Sequence, residues 1–153
     1  MWRDTLYIRT LAATRIPLLF LAGPSVVRLD RAQATIRIPL NWLTRNHLGS
    51  MYIGALVCGA DLAAGLLAQQ HIRRAPRPVS LIFQDLHAEF LRRPDGPCYF
   101  TCDQGAVAES LVAAALNGDT RVSAPLEVVA RVPSRSGDEP VARFTLTLSL
   151  KAR

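Results

Sequence analysis

Lysine is almost missing from this chain: 17 arginines stand against a single lysine, and the formal charge is +6. Guanidinium forks suit phosphates and carboxylates, so the surface favours anionic partners. The arginines are scattered, however, and form no recognisable nucleic-acid-binding motif, so a nucleic acid is not the expected partner. Cysteine is equally sparse. Three residues, an odd number without an export signal, exclude a disulfide framework and fit a reducing cytoplasm. Cys98 and Cys102 alternate like strand residues in "CYFTC", which sets their sulfurs about 13 Å apart. His47, His71 and His87 supply no ligand pattern, and neither a metal nor a bound cofactor is expected. Long apolar runs are absent near the N-terminus. Residues 16 to 27 are broken by Pro17 and Pro24 and are too short to cross a bilayer, so no membrane partner is expected. Arg3, Arg9 and Arg15 precede "IPLLFLAG", but Pro17 interrupts that core, which favours an amphipathic N-terminal helix over a signal peptide.

What is present suits one domain spanning residues 1–153, with residues 1–24 forming an N-terminal helix and linker. Half of the residues are hydrophobic and a fifth are charged, the balance of a globular chain with a core. Residues 4 to 21 read as a helix with Leu6, Leu11 and Leu18 among its apolar positions, bent or broken at Pro17. "VVRLD" and then "ATIRIPLNW" follow as strands; in the second, Ala34, Ile36, Ile38, Leu40 and Trp42 alternate with polar residues. A long apolar helix starts near Ile53. After the "RRAPRP" loop come a strand from Val79 to Arg92, a "PDGP" turn and the "CYFTC" strand. A small helix capped by Asp103 runs to about Leu116, and two strands joined by "SGDEP" end the chain. Clean alternation at Leu126, Val128, Ala130, Val132 and from Ala142 to Leu150 indicates antiparallel strands with one buried face. The expected class is α+β: a curved antiparallel sheet wrapped around the central apolar helix, with an N-terminal helix and a small inserted one.

The central helix raises the functional question. "NHLGSMYIGALVCGADLAAGLLAQQ", residues 46 to 70, is almost wholly apolar from Ile53 onward and carries one charge, Asp61. At 100° per residue, Gly54, Cys58, Asp61, Gly65 and Ala68 share one stripe, with Leu56, Ala63, Leu66 and Leu67 opposite. A glycine inside a helix costs up to about 1 kcal/mol relative to alanine, so two beside Asp61 call for a close neighbour. That neighbour is either another helix across a dimer or a substrate in a narrow slot. The first helical turn, at Ile53 and Gly54, presents free backbone N–H groups suited to an anion or oxyanion. Asn46, His47 and Tyr52 lie beside it. Asp85, His87 and Glu89 alternate onto one face of the long strand, where a water-facing or interface patch is expected rather than a catalytic Asp and His pair.

The stretch "NHLGSMYIGALVCGADLAAG" resembles the central-helix segment of hotdog-fold acyl-CoA thioesterases, especially the phenylacetate-pathway type. There a His-Gly-Gly at the helix start precedes a catalytic aspartate eight residues after the first of those glycines. "FLRRPDG" and the final long strands extend the resemblance from about residue 25 onward, and the Tyr-X-Gly-Ala form of the motif resembles an uncharacterised branch of the superfamily. Tyr52 stands where the histidine would be, and Ile53 replaces the first glycine. The resemblance implies hydrolysis of a small or medium acyl-CoA, with Asp61 as general base or nucleophile and the Ile53 and Gly54 amides as the oxyanion site. Asn46, Tyr52, Cys58 and Gly65 would line the substrate slot. Arg92 and Arg93, with the Arg73, Arg74 and Arg77 loop, would meet the coenzyme A nucleotide, which enters as part of the substrate. Ile53 and Asp61 are about 12 Å apart along one helix, too far to serve one carbonyl. A homodimer is therefore the smallest working unit, with a dimer of dimers open. The competing expectation is a non-catalytic binder of acyl thioesters; a dehydratase would call for a catalytic histidine that His47 does not match.

Overall fold

The computed structural model describes residues 2–153; the side chains of residues 11 and 12, and with them the expectation for Leu11, lie outside the described residues. Two helices open the chain, α1 (Trp2–Arg15) and α2 (Pro17–Ala22). Pro17 ends one and occupies the first turn of the other, where its missing N–H has no helical partner to lose. Leu6 and Leu18, expected among the apolar contacts, are exposed; Ile8, Leu19 and Ala22 are the residues buried there.

Six strands follow: β1 (Ser25–Leu29), β2 (Ala34–Ile38), β3 (Val79–Phe90), β4 (Cys98–Cys102), β5 (Val122–Arg131) and β6 (Pro140–Ala152). They form one antiparallel sheet in the order β1-β2-β4-β5-β6-β3, which leaves β3 as an edge. The helix α3 (Ile53–Ile72) packs across its inner face, and α4 (Gly105–Asn117) lies beside α3 against β5 and β6. A turn of helix, α5 (Pro133–Ser136), sits in the β5–β6 connection. A curved antiparallel sheet around a central apolar helix, with extra helices at the N-terminus and between β4 and β5, is the hotdog fold.

The core is the inner face of the sheet meeting α3. Ile36, Ile38, Phe100, Leu126, Phe144 and Leu148 are fully buried against Ala60, Ala63, Ala64 and Leu67 of the helix. Small residues let α3 approach the sheet: a Cβ on Gly59 would lie 2.3 Å from the Phe100 ring. Length and apolarity alone would allow α3 to cross a membrane, but 61% of its most apolar window is buried inside the protein.

Three local expectations are corrected. β2 ends at Ile38 because Pro39 cannot continue a ladder; Asn41 and Thr44 fold the next residues into a turn, and Trp42 is 75% exposed. Asp103 does not cap α4: Gln104 holds the cap position, and its Oε1 accepts the Glu127 N–H of β5 at 2.7 Å. Gly105 begins α4 tight against the Arg31 carbonyl, where a Cβ would come within 1.9 Å. Finally, β3 carries a bulge. Gln84 and Asp85 together face Thr147, whose hydroxyl donates to Asp85 Oδ1 at 2.7 Å. The extra residue keeps Leu81, Phe83, Leu86 and Ala88 opposite the inward residues Leu150, Leu148, Leu146 and Phe144.

Candidate active site

The start of α3 is held by a tied loop rather than by a capping side chain. The Asn46 N–H donates to the Ser50 carbonyl, and Gly49 turns the chain at φ 77°. Asn46 Oδ1 accepts the N–H groups of Leu48 and Ser50. The Met51 N–H reaches the Pro94 carbonyl at 2.8 Å, and the Tyr52 N–H reaches Thr44 at 2.7 Å. Arg93 adds a brace, donating from Nε to Ser50 Oγ and from Nη2 to the Leu48 carbonyl. Tyr52 is the N-cap in extended conformation, without a side-chain cap bond. Its ring lies over Gly54, where a Cβ would meet Cε1 at 2.5 Å. The Ala55 and Leu56 amides bond back to the Tyr52 carbonyl. The Ile53 and Gly54 amides keep no acceptor among the described residues, as helix geometry requires of a first turn.

Ile53 lines a cleft of about 460 Å³ whose walls are mostly apolar, among them Leu48, Met51, Leu56 and Phe90, with Asn46, Ser50, Arg92 and Arg93 as its polar groups. Arg92 reaches Glu139 at 2.8 Å in an exposed ion pair. Arg93 is used on the loop. Thus two residues expected to meet the substrate nucleotide line the cleft, and each already has a partner.

Asp61 lies two turns further along α3 in a second cleft of about 480 Å³. Its floor is Leu19, Leu62 and Leu66, all buried, and its walls include Leu81, Ile82 and Phe83 of β3. Tyr7 and Ile16 of the N-terminal segment stand at its mouth beside Gly65 and Gln69. Burial alone raises the Asp61 carboxyl above the usual carboxylate range. No hydrogen bond or ion pair holds it among the described residues. A carboxylate kept in an apolar slot without a cation is a candidate base.

The structure separates the expected stripe. Gly65 lines the Asp61 cleft with room to spare, since a Cβ there would make only ordinary contact with Phe83, 3.8 Å away. Cys58 and Ala68 instead face the core. The partly open line of α3 is Gly54, Val57, Asp61, Gly65 and Gln69, at steps of three and then four residues. The Cys58 thiol is pushed up by burial and then by the Asp61 charge. The Cys98 and Cys102 thiols, at about 12 and about 11, are those of inert core residues. Of the arginine loop, Arg73 stacks on the Tyr7 ring at 4.3 Å, Arg74 bonds its own helix at Gln70, and Arg77 donates to the Leu116 carbonyl at the end of α4. His87 and Glu89 are exposed on the outer face of β3, and His71 is buried with its Nε2 at 2.9 Å from the Arg31 carbonyl. Among the described residues no three His, Cys, Asp or Glu side chains gather as a metal site requires.

Sequence reasoning missed the walls of both clefts. Tyr7, Ile16, Leu81 and Phe90 reach them through tertiary packing, and no local pattern marks them. Several solved structures share the architecture. A Pseudomonas aeruginosa protein of unknown function, described as a probable thioesterase, is 22% identical with a TM-score of 0.81 over 97% of this chain and 96% of its own. A candidate thioesterase from Shewanella oneidensis is 13% identical at the same TM-score, over 99% of each chain. A Haemophilus influenzae thioesterase is 12% identical with a TM-score of 0.67, over 94% of this chain and 87% of its own. At these identities the likeness is one of fold. Among curated proteins none matches. The family described as a domain of unknown function (DUF4442) matches residues 5–150, and the chain belongs to that family.

Proposed function

We propose that this protein hydrolyses acyl-CoA thioesters, with Asp61 as general base or nucleophile and the amides of Ile53 and Gly54 as the oxyanion site. The observation that carries the reading is Asp61 itself, a half-buried carboxylate in an apolar cleft with no cation or donor holding it among the described residues. Such a group either activates water or attacks the carbonyl carbon; both fit thioester hydrolysis. Two unpaired amides at a helix start meet the developing negative charge on the carbonyl oxygen. The thioesterase descriptions of the structural neighbours support the same chemistry.

The two halves lie in different clefts, about 12 Å apart along α3. Both open beside β3, one at Phe90 and Leu91, the other at Leu81 to Phe83. β3 is a 12-residue free edge that exposes Ile82, Leu86 and Phe90, features that soluble monomers avoid. Antiparallel pairing of two such edges brings the Phe90 end of β3 beside the opposite end of the partner subunit's strand. The Ile53 cleft of one chain then faces the partner's Asp61 cleft. The working unit is thus a homodimer with two composite sites. Arg92, at the rim of the Ile53 cleft, is placed to meet the coenzyme A phosphates, while Arg93 holds the loop. Three buried free thiols suit a reducing cytoplasm.

Measuring free thiol released from a panel of acyl-CoAs, with Asp61→Asn as control, tests the reading. Turnover that falls about 10²- to 10⁴-fold in the variant is expected of a lost base. An unchanged rate would remove Asp61 from the mechanism. The second reading, a non-catalytic acyl-thioester binder, draws on the Tyr52 ring packed over Gly54, which narrows the approach to that amide; binding of acyl-CoA without turnover at any chain length would establish it.

A further inference from the structure

The sheet and α3 make only part of the Asp61 cleft; the rest comes from the segment that precedes the sheet. Leu19 of α2 lies in the floor, and Tyr7 of α1 and Ile16, the residue between the two helices, stand at the mouth. On the other side Leu81, Ile82 and Phe83 close the slot. Apart from Asp61, the Tyr7 hydroxyl and the Gln69 amide, the lining is hydrocarbon, and no basic side chain among the described residues lines it. A carboxylated or phosphorylated acyl group would find no counter-charge in the lining and would repel Asp61; the Arg73 guanidinium nearby is engaged on the Tyr7 ring. An uncharged alkyl chain would find an apolar wall on both sides.

Gly65 supplies an independent observation. Gly54 and Gly59 are each required by an aromatic ring, since a Cβ would come within 2.5 Å of Tyr52 and 2.3 Å of Phe100. At Gly65 the nearest atom is 3.8 Å away, so packing within the chain does not call for glycine. The missing side chain widens the cleft one helical turn beyond Asp61, on the side away from the Ile53 amides.

We propose that this cleft, walled by α1 and α2, is the acyl-tail subsite and selects uncharged, medium to long alkyl chains, with Gly65 giving the tail its room and Ile16 bordering its path. The inference rests on the thioesterase reading for the position of the carbonyl, but not for the presence of the subsite. The test therefore has two arms. In the first, turnover of butanoyl-, octanoyl-, dodecanoyl- and hexadecanoyl-CoA is compared in the wild type, Gly65→Leu and Ile16→Glu. Gly65→Leu fills the slot, and Ile16→Glu sets a carboxylate at its mouth. Each is expected to lower the ratio of hexadecanoyl to butanoyl turnover at least about tenfold, the scale on which apolar pockets discriminate. In the second arm, binding of S-butyl- and S-dodecyl-CoA thioethers, which have no scissile carbonyl, is measured by calorimetry. The wild type binds the dodecyl thioether more tightly than the butyl one, and Gly65→Leu removes most of that difference. Far-ultraviolet circular dichroism verifies that the variants are folded, and Ile16 is exposed, so its replacement disturbs no core. A wild type without turnover that keeps this length-dependent binding overturns the hydrolase and leaves the subsite standing. Variants that keep the wild-type length profile in both arms overturn the subsite while the hydrolase stands.

Discussion

The two ends of the open line on α3 differ in almost every respect. At Ile53 the helix begins in a cleft that adds Asn46, Arg92 and Arg93 to apolar walls, where a tied loop fixes the Ile53 and Gly54 amides. At Asp61 it passes through a more apolar slot, where one carboxylate has no partner among the described residues. The first end can hold negative charge but has no base; the second has a base but nothing to stabilise an oxyanion. Neither is a reaction centre alone, and helix geometry keeps them apart within one chain. In the proposed reading each end has a separate chemical task, and the free β3 edge is the element that would join them.

The largest test of that division removes the base. Asp61→Asn is expected to lower kcat about 10²- to 10⁴-fold. The same variant should gain stability at neutral pH. Burial raises the Asp61 pKa in the folded state, so folding binds its proton more tightly than the unfolded chain does. Stability is therefore highest below the ordinary carboxylate range, falls as pH rises through the shifted value, and stays lowered at neutral pH. Thermal melts should show Asp61→Asn above the wild type at pH 7, with the gap closing in acid. Rate should follow the opposite course: kcat/KM rises as Asp61 ionises, with a midpoint above that of an ordinary aspartate.

Removing a donor at the other end comes next. Ile53 is the first residue of α3, where proline is tolerated, and Tyr52 before it already has φ −67° and ψ 142°, the conformation that precedes proline. Ile53→Pro should keep the fold, delete one amide donor and lower kcat about 10²- to 10³-fold. The glycines sharpen the comparison through stability. Gly59→Ala forces a methyl into the Phe100 ring and should destabilise by about 1–3 kcal/mol in denaturant titrations. Gly65→Ala makes only ordinary contact with Phe83 and should stabilise by up to about 1 kcal/mol. The smallest effect is expected at the rim. Arg92→Ala, at an exposed residue, should raise KM for acyl-CoA by at most about fivefold with kcat unchanged.

Much of this was legible from residue patterns, and the exceptions have physical causes. Alternation in β5 and β6, the apolar run of α3 and Asp61 as its one charge are local signals, and the fold follows them. The strand predicted through Trp42 failed because Pro39 ends the ladder and the Asn41 side chain bonds its own turn. Asp103 lost the cap position because the Gln104 and Gly105 contacts are tertiary. Cys58 shares a helical stripe with Asp61 but faces the core, since one residue of rotation decides between sheet and cleft. The wall formed by Tyr7 and Ile16 could not be read at all: 54 and 45 residues separate them from Asp61.

Mixing two inactive proteins tests the composite site most directly. Asp61→Asn keeps the Ile53 amide, and Ile53→Pro keeps the carboxylate, so a dimer holding one of each contains one intact site. Co-refolded in equal amounts, the two variants should recover roughly a quarter of wild-type turnover, because half of the dimers are mixed and each has one working site of two. Recovery no greater than the mean of the separate variants would contradict a site shared between subunits.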